Sequence, residues 1–191
     1  VLGKTALNGT LLLVFFDAED SGSGVDDWIQ GSRYFVSQLA LADKEKVRWA
    51  VILDMIGDSD LQIYREIGSN GQLTDAFWRQ ARNLGYPQFI DEPRYQILDD
   101  HLPFLEVGIP AVDVIDFDYA YWHTTADTAD KVSPQSLEAV GRTTVGFILE
   151  DSGLPIEPVG FSYTNLLAVA GGVVALVLLS YVVPRMGRRA K

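Results

Sequence analysis

Leu11-Leu12-Leu13-Val14-Phe15-Phe16-Asp17-Ala18-Glu19-Asp20 is the stretch that decides the fold. Six apolar residues, rich in branched and aromatic side chains, run directly into three acids within four positions. A short apolar run of this kind predicts a strand buried on both faces of a sheet. At the end of such a strand the carboxylates emerge at the sheet's carboxyl edge, the usual place for a site in an open α/β fold. Asp17, Glu19 and Asp20 repel one another there unless a cation or protons offset the charge.

The same grammar recurs downstream. Trp49–Leu53 predicts a second buried strand, again ending in an acid, Asp54. Ala111–Ile115 predicts a third, followed by a long loop with Asp116, Asp118, Trp122 and His123. Between them, Asp26 or Asp27 caps a helix to about Leu41, and Leu61–Tyr64 reads as a short strand. Leu73–Leu84 has amphipathic spacing and is ended by Gly85-Tyr86-Pro87. Asp99-Asp100-His101 precedes a short helical turn. Ser133 and Pro134 start a last helix reaching about Glu150. Strands alternating with helices predict an α/β three-layer sandwich around a mixed, mostly parallel sheet.

Composition narrows the function. The 191 residues carry a net charge of −11, and the chain has no cysteine. That balance argues against nucleic acid as a partner. The missing thiols exclude disulfides, thiolate metal sites and a cysteine nucleophile. Leu166–Val183 holds no charge and is followed by Pro184 and a basic tail. This pattern predicts a membrane-spanning helix over 164–184, a linker over 151–163, and a cytoplasmic tail over 185–191. Residues 1–150 are then the catalytic part, outside the membrane. With four of the 15 cations in the tail, the remainder has 11 against 26 acids and stands at −15.

The two histidines of the chain both sit beside acids in loops. Glu19, Asp20, Asp54, Asp100, His101 and His123 together offer oxygen and nitrogen donors from separate loops. A catalytic zinc takes about three protein ligands and keeps one position open, with a free carboxylate nearby to handle protons.

In these blocks the sequence resembles the zinc-dependent exopeptidase family that contains bacterial aminopeptidases and glutaminyl-peptide cyclotransferases. The blocks are Phe15–Asp20, Gly31–Tyr34, Leu53–Gly57, Asp99–Phe104 and Tyr121–Thr125, agreeing in order over about residues 10–150. The resemblance implies Glu19 as general acid/base, and Asp20 and His123 as zinc ligands. It implies Asp54 as ligand of a second zinc in peptidases or as part of a proton relay in cyclases. Asp100 would support that relay or the substrate, with His101 beside it, and Trp122 would wall the substrate pocket. One or two Zn2+ ions are expected, with peptide or protein amino termini as substrates. The family places a further metal-binding Asp upstream, whereas no Asp or His precedes Asp17 here. The chain therefore reads as the carboxyl part of a longer, membrane-anchored aminopeptidase. A glutaminyl cyclase and a non-catalytic tethered domain are the alternatives.

Overall fold

The computed structural model describes residues 7–22, 24, 27–151 and, as backbone, 176–181. The elements are β1 (Thr10–Phe15), α1 (Gln30–Gln38), α2 (Leu41–Lys44), β2 (Val47–Asp54), β3 (Ile63–Glu66), α3 (Gly71–Leu84), β4 (Phe89–Tyr95), α4 (Leu102–Glu106), β5 (Ala111–Ile115), α5 (Pro134–Asp151) and β6 (Leu176–Tyr181).

β2 and β5 run parallel, Ala50 facing Ala111 and Asp54 facing Ile115. β6 lies between β1 and β2 and is antiparallel to both, which gives the order β1-β6-β2-β5. β1, β2 and β5 thus share one direction, and their carboxyl ends open on one edge. β3 and β4 form a second, parallel pair. The mixed α/β architecture expected from the sequence is present, with both parallel and antiparallel pairing.

β2 sits at the centre, and its side chains alternate between two cores, as the period of a strand requires. Trp49, Val51 and Leu53 pack with Phe77, Trp78, Phe147 and Ile148 of α3 and α5. Ala50 and Ile52 face the other way, towards Val36 of α1 and Phe104 of α4. These are the three layers. α3 buries Thr74, Phe77, Trp78 and Ala81, the spacing of one helical stripe. The Asn70 side chain accepts from Leu73 N at 3.1 Å to start it, and Gly85, at φ 80°, ends it in the left-handed conformation that glycine adopts without strain. At α5 the Ser133 hydroxyl accepts from Ser136 N at 3.3 Å, the expected cap.

Two sequence expectations are corrected. Among the described residues β1 is not buried on both faces: it lies at one edge of the sheet, and Leu13 and Phe15 are 59% and 64% exposed. α1 starts without a side-chain cap, after Ile29 in a left-handed conformation, instead of at Asp26 or Asp27. Of the span 164–184 expected to cross a membrane, the structure describes Leu176–Tyr181, which lie in a strand. An uncharged run of six residues satisfies a sheet interior as readily as a bilayer. The rest of 164–184, with most of the linker and all of the tail, lies outside the described residues. Among the described residues, no helix is long and apolar enough to cross a membrane.

Candidate active site

The cleft opens at the carboxyl ends of β1, β2 and β5 and has a volume of about 150 Å³. Glu19, Asp20, Asp54, Gln96, Asp99 and His123 supply its polar lining, and Trp28, Met55, Ile97, Leu98, Ile115, Phe117 and Trp122 its apolar walls.

The loop after β1 carries the first two acids and is pinned from both sides. Ile29 N donates to Glu19 O at 2.6 Å, and Gln30 N donates to Ala18 O at 3.0 Å. The Asp17 carboxylate accepts from Ala18 N at 2.8 Å. Gly31 lets the loop approach α1 this closely, since a Cβ there would overlap the Asp17 carbonyl oxygen. Ala18, Ile29, Met55 and His123 are the non-glycine residues with positive φ among the described residues. Each belongs to this rim or is bonded to it. Such strain is costly, most of all for a β-branched residue, and it clusters where geometry matters to function.

His123 arrives from the long loop after β5 and places Nε2 3.0 Å from Asp20 Oδ2. The Trp122 ring stacks on it at 4.2 Å between centroids and 29° between planes. Phe117 backs Trp122 at 5.3 Å. Two donors on a tetrahedral zinc lie about 3.3 Å apart, given bonds of about 2.0–2.1 Å. The carboxylate–imidazole pair therefore fits zinc in donor type and spacing. It falls short in number: among the described residues, no group of three or more His, Cys, Asp or Glu is placed to hold a metal ion.

Behind this pair the carboxyls run inward. Burial, then the nearby charges of Asp54, Asp20 and Asp100, push Glu19 up to about 7. Asp54 ends β2, is 6% exposed and accepts from Met55 N at 2.9 Å. Burial raises it to about 6, with Asp100 and Asp20 adding to the rise against the Met55 hydrogen bond. Asp99 accepts from Asp100 N at 2.5 Å. Burial, then the charge of Asp54, raises Asp99 well above the usual carboxylate range. Burial, then the charge of Asp99, does the same to Asp113 in the middle of β5. The result is a file of protonatable carboxyls from the cleft into the core.

Glu19, Asp20, Asp54, Trp122 and His123 come together as the sequence predicted. Asp100 and His101 do not line the cleft: both are fully buried beneath it. They start the α4 turn, whose N-terminal residues are packed inward by Pro103 and Phe104, so His101 cannot be a pocket residue. The position at the cleft is instead Asp99, and Asp113 lies behind it. Asp113 had left a signal in the sequence, a charged residue inside the apolar run Ala111–Ile115, because an ionisable group is rarely buried in a strand without a task.

The α/β sandwich thus gathers acidic and imidazole side chains from separate loops at the carboxyl edge of its sheet. The Peptidase family M28 model matches residues 1–148, and the chain belongs to that family. It is 26% identical over 171 residues to the mouse glutaminyl-peptide cyclotransferase-like protein, covering 76% of this chain and 44% of that one. Among solved structures, it is similar to the Porphyromonas gingivalis glutaminyl cyclase, with 31% identity and a TM-score of 0.67, covering 71% of this chain and 54% of that one. A leucine aminopeptidase precursor from Bacteroides thetaiotaomicron has 28% identity and a TM-score of 0.65, covering 70% of this chain and 50% of that one. The chain spans about half the length of these relatives.

Proposed function

We propose that this chain supplies part of a zinc-dependent enzyme acting on free amino termini of peptides, and that its reaction is cyclisation of an amino-terminal glutamine. The supporting observation is the inward file Glu19, Asp54 and Asp99, each carboxyl raised towards or into the neutral range. A cyclase must take a proton from the attacking amine and return it to the departing ammonia. A carboxyl near 7 does both at neutral pH. The glutaminyl cyclase is also the more similar of the two solved relatives, 31% identical against 28% for the leucine aminopeptidase precursor. This reverses the order of preference drawn from the sequence alone.

Asp20 and His123 would hold the zinc, completed by a ligand from outside the described residues. Zinc held there supplies Lewis-acid polarisation of the substrate carbonyl. The Glu19 carboxylate takes the proton as the substrate's α-amine nitrogen bonds to its own side-chain amide carbon. It then passes that proton to the amide nitrogen, the C–N bond breaks and ammonia leaves. Trp122 and Phe117 wall the side of the bound residue and exclude water that would compete for the carbonyl.

Hydrolysis at the first peptide bond is the second reading, supported by the likeness to the leucine aminopeptidase precursor and by the segment Thr124–Thr128. In that case Glu19 takes the proton of an attacking water and gives it to the leaving amine. Assaying the intact protein with zinc on a glutaminyl peptide and on an aminoacyl anilide separates the two. Ammonia release without anilide hydrolysis supports cyclisation, and the converse overturns it. Membrane tethering through 164–184, with the site on the outer side, is a further proposal. It requires Leu176–Tyr181 to leave the sheet, and membrane fractionation of the intact protein tests it.

A further inference from the structure

Beneath the cleft lies a buried cluster that the reaction above does not use. Glu66, at the end of β3, has a side chain 1% exposed, and those of His101 and Asp113 are fully buried. Glu66 Oε1 accepts from Gly68 N at 2.9 Å and from Ile97 N at 3.1 Å. Glu66 Oε2 accepts from the Ser69 hydroxyl at 2.8 Å, and that same hydroxyl oxygen accepts from Asp113 N at 3.0 Å. The His101 ring stands between the two acids, Nε2 3.3 Å from Glu66 Oε2 and Nδ1 3.7 Å from Asp113 Oδ2.

We propose that Glu66 and His101 form a bracket that positions the cleft from behind, through Ile97 on its wall and through the α4 turn on Asp99. They are positioning residues, since neither reaches the cleft. The inference rests on the function proposed above for its catalytic consequence, but not for its geometry.

Three chain segments meet in the bracket: the end of β3, the loop before α4 and the middle of β5. An apolar trio of like volume would pack these segments at no cost in desolvation, because burying charged groups is expensive even when they are paired. What the polar trio adds is direction. Glu66 fixes the Ile97 amide, and with it the wall formed by Ile97 and Leu98. His101 is two residues from Asp99, whose carbonyl accepts from Leu102 N at 3.0 Å, so the ring and Asp99 move as one turn.

The two ring nitrogens can be separated by substitution. His101→Gln keeps a donor near the Nε2 position, towards Glu66. His101→Asn keeps one near Nδ1, towards Asp113. Backbone amide exchange at Gly68 and Ile97, carboxyl carbon shifts of Asp99 and Asp113, and kcat and KM are measured on the intact protein. His101→Gln is expected to keep Ile97 protection within about twofold, while His101→Asn lowers it by about fivefold or more, the loss of one hydrogen bond. His101→Gln in turn shifts the Asp99 carboxyl signal and lowers kcat with KM little changed. Glu66→Gln, which keeps volume and acceptor, is the companion variant should either substitution unfold the protein: it is expected to weaken Ile97 protection and raise KM. Unaltered Ile97 exchange and Asp99 shift in every folded variant would overturn the bracket. If the wild type turns over neither substrate, the function fails, while exchange and carboxyl shifts still decide the bracket.

Discussion

Asp20 Oδ2 and His123 Nε2 stand 3.0 Å apart, although the two residues are far apart in the chain, in the loops after β1 and β5. Nothing local brings them together. β1 and β5 deliver them to the same sheet edge, where the Trp122 ring stacks on the imidazole. Asp20→Ala and His123→Ala are each expected to weaken zinc affinity by more than about a hundredfold, beyond the about 10–100-fold typical of outer-shell partners. Equilibrium dialysis against a zinc buffer, with circular dichroism to establish folding, measures this.

The buried acids predict the pH dependence of stability in the metal-free protein. Glu19, Asp54 and Asp116 are raised to about 7, 6 and 6, chiefly by burial. A folded state that holds protons the unfolded chain has released loses stability as pH rises through that window. Glu66 runs the other way. His101, Gly68 and Ser69 outweigh its burial and hold it at about 2, so its contribution is present above about 4.5 and lost as pH falls through 2. The unfolding midpoint should therefore peak between about pH 4 and 5 and fall towards pH 8. A midpoint that climbs steadily from pH 5 to 8 would count against the protonated file.

Glu19→Gln separates chemistry from stability. Losing the carboxyl that carries a proton both ways should lower kcat by about 10²–10⁴-fold. The same change removes a group that is forced to ionise unfavourably. The metal-free variant should consequently melt higher than the wild type at pH 8, and equally at pH 4. Steady-state kinetics and thermal melts on one preparation test both halves.

Trp122 is 42% exposed and touches His123 on one face and Phe117 at 5.3 Å. Trp122→Ala should raise KM about tenfold, by loss of roughly 1–2 kcal/mol of aromatic contact with substrate, and leave stability nearly unchanged. A variant with unaltered KM but a collapsed kcat would instead make the ring a support for His123.

Most of what positions the site could be read from the chain. The strand-then-acid pattern at Glu19 and Asp54 locates the cleft because β1 and β2 run in one direction and end at the same sheet edge. The α3 stripe was equally plain, and so were the stop at Gly85 and the start of α5 at Ser133. Neighbouring residues were harder to tell apart. Asp99 and Asp100 differ in role only through the turn that starts α4, and no periodicity resolves one residue in a turn. Glu66 gave no signal, because its partners Ile97, His101 and Ser69 lie in other segments. Leu176–Tyr181 was ambiguous for a different reason: uncharged runs suit bilayer and sheet interior alike, and only the pairing with β1 and β2 distinguishes them.

The most direct test is zinc-edge anomalous diffraction from crystals of the intact protein. The account predicts one peak at the cleft mouth, about 2.0–2.2 Å from a carboxylate oxygen of Asp20 and from Nε2 of His123. Zinc bound elsewhere with both residues free of it would contradict the account.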